Sequence, residues 1–139
     1  MDPSMTSDDE LFQRLRPLLA ERLFVKIDEV QPQSRLIDDL QVDSLDFVDL
    51  QFALEETFGV RFGHGEFFEP TPKWVNKDGT LKASAVDHLS VMMPDLRSLA
   101  EEGPVSVVTF FKRVSVETLV RLIRHQRERD AQTSEESAS

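Results

Sequence analysis

Ser44 has the surroundings in this chain that are most suggestive of chemistry. It lies between Asp43 and Asp46, at the head of an amphipathic stretch that runs to Phe58. A serine hydroxyl in such a place has three competing uses. It can be a hydrolase nucleophile, a cap for the following helix, or the attachment point of a phosphate-linked group.

The nucleophile interpretation has little support. A serine hydrolase needs a neighbouring base and a strained elbow, and the Gly-x-Ser-x-Gly motif is absent. The three histidines (His64, His88 and His125) lie far from Ser44 in sequence. Neighbouring carboxylates would also disfavour an oxyanion, so hydrolysis is the weakest of the three uses.

The capping interpretation is the ordinary one, because serine is a favoured residue just before an amphipathic helix. For an isolated Asp-Ser-Leu tripeptide, capping would be the preferred interpretation. A phosphodiester on Ser44 would instead lie at the positive end of the helix dipole, where backbone amides tolerate an anion. The context of the serine therefore has to decide between these two interpretations.

That context is strongly acidic. Residues 36–60 hold seven acids and no Lys or Arg. A helix stabilised by its own ion pairs would have basic residues among the acids. The whole chain has a net charge of −10, and residues 1–61 hold 14 of its 26 acidic residues. This charge argues against nucleic-acid binding and indicates basic protein partners. The seven acids of residues 36–60 are Asp38, Asp39, Asp43, Asp46, Asp49, Glu55 and Glu56.

The helix predicted for about residues 44–58 has two apolar stripes when it is projected at 100° per residue. A core stripe consists of Phe47, Leu50, Leu54 and Phe58. A second stripe of Leu45, Val48 and Phe52 lies roughly 150° around the helix, flanked by acids. It either packs under another segment of the chain or contacts a partner, and the surrounding acids favour a partner.

Other elements must hold this helix in place. Leucine spacing predicts a helix over about 8–24, with a kink or a break at Pro17. The following loop, residues 25–42, is expected to be ordered because it carries spaced apolar residues. Ser115 is expected to cap a last helix over about 116–129. Residues 1–7 are expected to be a flexible N-terminal segment and residues 130–139 a disordered tail. The apolar loop residues are Ile27, Val30, Leu36, Ile37 and Leu40.

Residues 62–112 are expected to be mainly helical. Asp78-Gly79 predicts a turn, either alone or within a small hairpin, and Thr80 is expected to cap a helix over about 81–92 that ends at Pro94. Leu96 and Leu99 suggest a further short turn, broken at Gly103-Pro104. The apolar run 105–111 fits an extended segment or a buried helical turn equally well.

Composition narrows the function classes further. The chain has 139 residues and no cysteine, which suits one domain without disulfides, thiolate nucleophiles or thiolate metal sites. No apolar run approaches the length of a membrane span and the N-terminus is unlike a signal peptide, so we expect a cytoplasmic protein. No metal site is predicted, because the acids and histidines of the middle region lack ligand spacing. These are His64, Glu66, Glu69, Asp87 and His88.

The stretch from Ile37 to Val60, with Asp43-Ser44-Leu45-Asp46 at its centre, resembles the acyl carrier protein family almost position for position. The resemblance also covers the first and last helices and leaves out residues 62–112 and the tail. It implies an all-α antiparallel bundle with a mainly helical insertion. It further implies that Ser44 carries 4′-phosphopantetheine, which a phosphopantetheinyl transferase attaches from coenzyme A. The thiol of that arm would hold an acyl group, so the chain would be a carrier and not an enzyme. It is further expected to be a monomer.

The resemblance also implies a surface for partner enzymes. Its partners would be the transferase and basic patches on ketosynthases, reductases and acyltransferases of fatty acid, lipid or polyketide synthesis. Acids would steer the encounter, and a small apolar contact would allow rapid release. The residues of this surface would be Asp43, Leu45, Asp46, Val48, Asp49, Phe52, Glu55 and Glu56.

Three departures from the family pattern stand out. Gln41 replaces the usual glycine, Gln51 lies where an apolar residue is usual, and residues 62–112 replace a short connection. Gln51 is expected to line an acyl pocket or to pair with a buried backbone group. The insertion either reshapes the pocket or partner surface, as in specialised carriers for lipid A and related lipids, or only stabilises the fold.

Two alternative functions remain open from the sequence. The chain could keep the carrier fold and bind basic partners without being modified. It could also be a peptidyl carrier, although the usual Gly-Gly-x-Ser environment is missing and Asp43 before Ser44 favours acyl loading.

Overall fold

A computed structural model describes residues 8–62 and 73–138 of the chain. In these two ranges the secondary structure is helical, which confirms the predicted all-α class. The predicted flexible segment 1–7 and the histidine and acids at His64, Glu66 and Glu69 lie outside the described residues. The helices are α1 (Asp8–Leu23), α2 (Ser44–Phe58), α3 (Ala83–Leu89), α4 (Asp95–Glu102), α5 (Val107–Arg113) and α6 (Val116–Ala138), with a 3₁₀ turn at Ile27–Glu29.

Helix α1 is continuous through Pro17, so the alternative of a helix in two parts is wrong. Pro17 and Gln13, four residues before it, are both exposed. The carbonyl that loses its intrahelical hydrogen bond therefore lies on the solvent side, where water can replace the missing donor.

Helices α1 and α2 are antiparallel, and two contacts fix their register. The Arg22 guanidinium lies 3.3 Å from an Asp49 carboxylate oxygen, and Arg14 donates a hydrogen bond to the Thr57 carbonyl at 3.1 Å. At the other side of α1, Arg124 of α6 binds both Asp8 carboxylate oxygens at 2.8 and 2.7 Å. The apolar core lies between these three helices and includes Leu15, Leu19, Leu50, Leu54, Leu119 and Ile123.

The loop before α2 is ordered, as predicted. Val30, Leu36 and Leu40 are buried in the core, whereas Ile27 is 47% exposed and does not anchor the loop. The Leu36 amide donates to the Val114 carbonyl, which ties the loop to the residues just before α6.

The described part of the insertion, residues 73–112, is mainly helical with one small hairpin, as predicted. Val75 and Leu81 form an antiparallel bridge around Gly79, whose φ of +88° suits glycine. Thr80 does not cap the next helix, because its hydroxyl bonds the Asp78 carboxylate at 2.6 Å; Lys82 is at the N-cap of α3 instead. This hydroxyl bond, followed by the Thr80 amide, lowers the pKa of Asp78.

The run 105–111 combines both of its predicted alternatives. Thr80 and Ser106 form an antiparallel bridge, and the Leu81 amide donates to the Val105 carbonyl, so the start of the run is extended. Ser106 then caps α5 by accepting from the Thr109 amide at 3.0 Å. Pro94 does not end α3, which stops at Leu89, but is at the N-cap of α4.

The last helix is longer than predicted. Ser115 caps it, as expected, by accepting from the Thr118 amide at 3.3 Å. Helix α6 then continues to Ala138, through most of the segment predicted to be a disordered tail. Residues 130–138 contain no Gly or Pro, so nothing in the backbone chemistry of that segment ends the helix.

Gln41, which stands where the family pattern usually has glycine, has a φ of +59°, in the left-handed region that favours glycine. We expect Gln41→Gly to raise the free energy of unfolding by about 1 kcal/mol, because it removes this backbone strain. Urea denaturation measures the change. Gln41→Ala, which keeps the strain, is the control, and a stabilisation no larger than that of the alanine variant would contradict the explanation.

Candidate functional site

The head of α2 is capped by Asp43, not by Ser44. The Asp43 carboxylate accepts a hydrogen bond from the Asp46 amide at 2.9 Å, and the Asp46 carboxylate accepts from the Asp43 amide at 3.1 Å. This reciprocal pair is a capping box, and it makes Ser44 the first residue of the helix. The interpretation of Ser44 as the cap is therefore wrong.

The backbone at Ser44 suits an anionic substituent. The first intrahelical bond of α2 joins the Phe47 amide to the Asp43 carbonyl. The amides of Ser44 and Leu45 precede it, at positions that have no carbonyl partner within a helix. The positive end of the helix dipole therefore lies where a phosphodiester on Ser44 would begin.

The loop that leads to Ser44 is held firmly. The Val42 amide donates to the Leu36 carbonyl at 2.8 Å, and the Val42 side chain is buried. The Asp39 carboxylate accepts from the Arg35 amide at 2.7 Å. The loop backbone is thus bonded at several points, and Ser44 follows a segment with a defined path.

The two stripes of α2 have different environments. In the core stripe, Leu50, Leu54 and Phe58 are buried, and Phe47 packs edge-to-face against Phe111 of α5 at 5.7 Å between ring centroids. The second stripe is solvent-exposed within the described chain, and we call it the exposed stripe. Its members are Leu45 (78% exposed), Val48 (54%) and Phe52 (67%).

Several of the acids predicted around this stripe have partners within the chain. Asp43 and Asp46 form the capping box, and Asp49 faces Arg22 of α1. The Gln51 side-chain amide donates to the Glu55 carboxylate at 3.3 Å. The Arg22 contact spans 27 residues, and no local pattern in the sequence signals it.

An open groove of about 400 Å³ adjoins the far end of the exposed stripe. Phe52, Glu55 and Glu56 form its α2 side, and Gly59, Val60 and Arg61 complete it. The groove continues an apolar and acidic surface beyond the last turn of α2. Gly59 is the C-cap of that helix, with a φ of +67°.

Two arginines hold the C-terminal end of α2. The guanidinium carbons of Arg14 and Arg127 lie 4.8 and 5.6 Å from the centroid of the Phe58 ring. Arg14 donates to the Thr57 carbonyl and Arg127 to the Phe58 carbonyl, at 3.1 and 3.3 Å. We call this cluster the arginine clamp. Burial, followed by the charge of Arg14, lowers the pKa of Arg127, and the clamp offsets that burial by binding the negative end of the helix dipole.

The remaining candidates are structural in the part of the chain that is described. His88 contacts Trp74 at 6.0 Å between ring centroids. Within residues 8–62 and 73–138, no group of three His, Asp or Glu side chains is placed to bind a metal ion. No helix in these ranges is both long and apolar enough to cross a membrane.

Comparison with known proteins agrees with this geometry. A family model for the phosphopantetheine attachment site matches residues 13–73. The site and the helical fold therefore define a phosphopantetheine-binding carrier domain.

Individual relatives give the family. The chain is 35% identical over 77 residues to the acyl carrier protein AcpXL of Mesorhizobium japonicum, covering 55% of this chain and 75% of that protein. It is 42% identical over 57 residues to the acyl carrier protein of Thermotoga maritima, covering 41% and 70%. The chain belongs to the acyl carrier protein family. Members of this family are carriers rather than catalysts, and they carry covalently attached 4′-phosphopantetheine.

Proposed function

We propose that Ser44 bears the 4′-phosphopantetheine arm and that the protein shuttles thioester-bound acyl chains between enzymes of lipid synthesis. One observation carries the proposal. Asp43, not Ser44, caps α2, so the serine at the head of the helix is not needed for capping. The alternative of an unmodified interaction module has no comparable observation in its favour.

The residues present fit this group. The bound arm would supply a thiol that holds an acyl chain as a thioester. At its base, the amides of Ser44 and Leu45 are placed to stabilise the phosphodiester. The capping box keeps those amides in position and occupies the nearest carboxylates, Asp43 and Asp46, with hydrogen bonds of their own.

The exposed stripe is the proposed contact for partner enzymes. Leu45, Val48 and Phe52 offer a small apolar area, and Asp49, Glu55 and Glu56 surround it with negative charge. Opposite charge raises the association rate, while a small apolar contact keeps the affinity modest. A carrier needs both, because it must reach several enzymes in turn and leave each one.

Intact mass tests the modification and the cargo together. The wild-type chain, incubated with coenzyme A and a phosphopantetheinyl transferase, is expected to gain the mass of one phosphopantetheine group. Subsequent loading with an acyl chain should add that chain, and neutral hydroxylamine should remove it as a thioester. A chain that gains no mass would contradict the proposal and favour the unmodified interaction module.

The pathway we propose is the synthesis of a specialised lipid of the lipid A type. The similarity to a relative named AcpXL supports this, and so does the long insertion between α2 and α6. Loading the holo protein with acyl chains of increasing length, and comparing thioester lifetimes with those on a carrier without such an insertion, tests the proposal. Equal lifetimes at every length would count against a role of the insertion in holding the chain.

The partner surface makes a separate prediction. Val48→Lys should raise the KM of the transferase for this protein about tenfold or more, because it removes an apolar contact and adds a charge that basic partners repel. Val91→Lys is the matched control: Val91 is 55% exposed, as Val48 is 54% exposed, but it lies in the insertion. Equal effects of the two variants would contradict the proposed surface.

A further inference from the structure

Phe24 is the most exposed large apolar side chain in the described chain, at 95%. It follows the last residue of α1 and has a φ of +56°, in the left-handed region. A bulky aromatic residue is rare in this conformation. Phe24 therefore combines an exposed ring with a strained backbone.

The turn itself requires the left-handed conformation but not the ring. The Val25 amide donates to the Ala20 carbonyl at 3.1 Å, which is the hydrogen bond of a Schellman motif that ends α1. The motif turns Val25 inward, where it packs against the core. Glycine at position 24 would make the same turn without strain and without an exposed ring. Strain that the fold does not need points toward a functional role for the side chain.

The register of α1 and α2 places Phe24 beside the head of α2. Arg22 opposite Asp49 and Arg14 opposite Thr57 define one antiparallel alignment. Continued by two residues, it sets Phe24 level with about residue 47, in the first turn of α2. Leu45 and Val48 of the exposed stripe lie on either side of that level.

Phe24 also has an apolar neighbour on its own segment. Ile27 is 47% exposed in the 3₁₀ turn that follows α1. Arg16 donates to the Ile27 carbonyl at 3.0 Å, which holds the turn against α1. We call these two exposed apolar residues, Phe24 and Ile27, the α1 patch.

We propose that the α1 patch, with Phe24 as its main contact, is a second docking point for basic partner enzymes, used together with the exposed stripe. The inference rests on the proposed function, because its occupant is an enzyme that acts on the arm at Ser44. A standard interface covers about 800 Å² on each partner, which is enough to include both areas.

Charge selects this occupant. Exposed charges of both signs lie around the α1 patch, where Arg22 and Lys26 offset Glu21 and Glu29, and Arg16 lies 3.8 Å from Asp28. The charge that selects the occupant is therefore that of the acids around the adjoining exposed stripe. A basic enzyme complements those acids, whereas a second copy of this chain would bring another net charge of −10. An anionic membrane would be repelled in the same way.

Phe24→Gly separates docking from folding, because the two effects have opposite signs. The variant should raise Tm by a few degrees, since it relieves the positive φ. It should also weaken binding to a phosphopantetheinyl transferase from the same genome by about five- to tenfold, because an aromatic contact is lost. Binding is measured as Kd on the Ser44→Ala background, where no transfer occurs.

Gln41→Gly is the matched control, because it also removes a positive φ near Ser44 but removes no apolar side chain. It should raise Tm and leave Kd unchanged. If Phe24→Gly has the same Kd for the transferase as its Ser44→Ala parent, the inference is overturned. It is also overturned if sedimentation shows a dimer of this chain that Phe24→Gly dissociates while the Kd for the transferase stays the same. Failure of the wild-type chain to gain the arm would overturn the proposed function instead, and the Kd comparison would still report on Phe24.

Discussion

Ser44→Ala is expected to abolish the mass gain that the wild-type chain shows with coenzyme A and a phosphopantetheinyl transferase. The effect is complete, because alanine has no oxygen to accept the phosphopantetheine group. The free energy of unfolding should change by less than about 0.5 kcal/mol, because Asp43 caps α2 and alanine favours a helix. Intact mass and urea denaturation measure the two effects on one sample.

Ser106→Ala is the control for a serine at the head of a helix. Ser106 caps α5 through the Thr109 amide, so its loss should cost about 1 kcal/mol. It should leave the mass gain intact. The opposite pattern, with a large loss of stability for Ser44→Ala and an undiminished mass gain, would contradict both the capping by Asp43 and the attachment at Ser44.

Phe58→Ala is expected to lower the free energy of unfolding by about 3–5 kcal/mol, a large part of the total for a domain of this size. Phe58 is 5% exposed and its ring contacts both guanidinium groups of the arginine clamp. Its loss leaves a cavity and removes the ring that Arg14 and Arg127 both contact. The midpoint of urea denaturation measures the change.

Phe52→Ala is the matched control on the same helix. The residue type is the same, but Phe52 is 67% exposed and belongs to the exposed stripe. Its replacement should cost less than about 1 kcal/mol in stability, because its ring is largely solvated already. Similar costs for the two variants would contradict the division of α2 into a buried and an exposed stripe.

Helical periodicity predicted much of the fold, because it reports burial directly. The two stripes of α2 emerge from projection alone, and the structure buries Leu50 and Leu54 while Leu45 and Phe52 stay exposed. The turn at Asp78-Gly79 was equally predictable, since its residues have a strong local preference. The family resemblance rested on the same segment, and the comparisons confirm it.

Other features depend on contacts that the local sequence does not encode. Arg22 pairs with an acid 27 residues away, and Arg127 bonds a carbonyl 69 residues away. Capping by Ser44 was one open interpretation of the sequence, whereas Asp43 is the cap of α2, because both residue types cap helices well and the two positions are adjacent. Phe24 falls inside the helix predicted over about 8–24, whereas α1 ends at Leu23, and the left-handed conformation of Phe24 is a property of the turn that the sequence does not signal.

Ser44 is the proposed attachment site of the arm on which this protein would transport acyl groups. Fragmentation of the loaded wild-type protein in the mass spectrometer tests it most directly, because the fragments locate the added mass on the chain. The group is expected on Ser44, between unmodified Asp43 and Leu45. A group found on any other residue, or a wild-type chain that gains none, would contradict it.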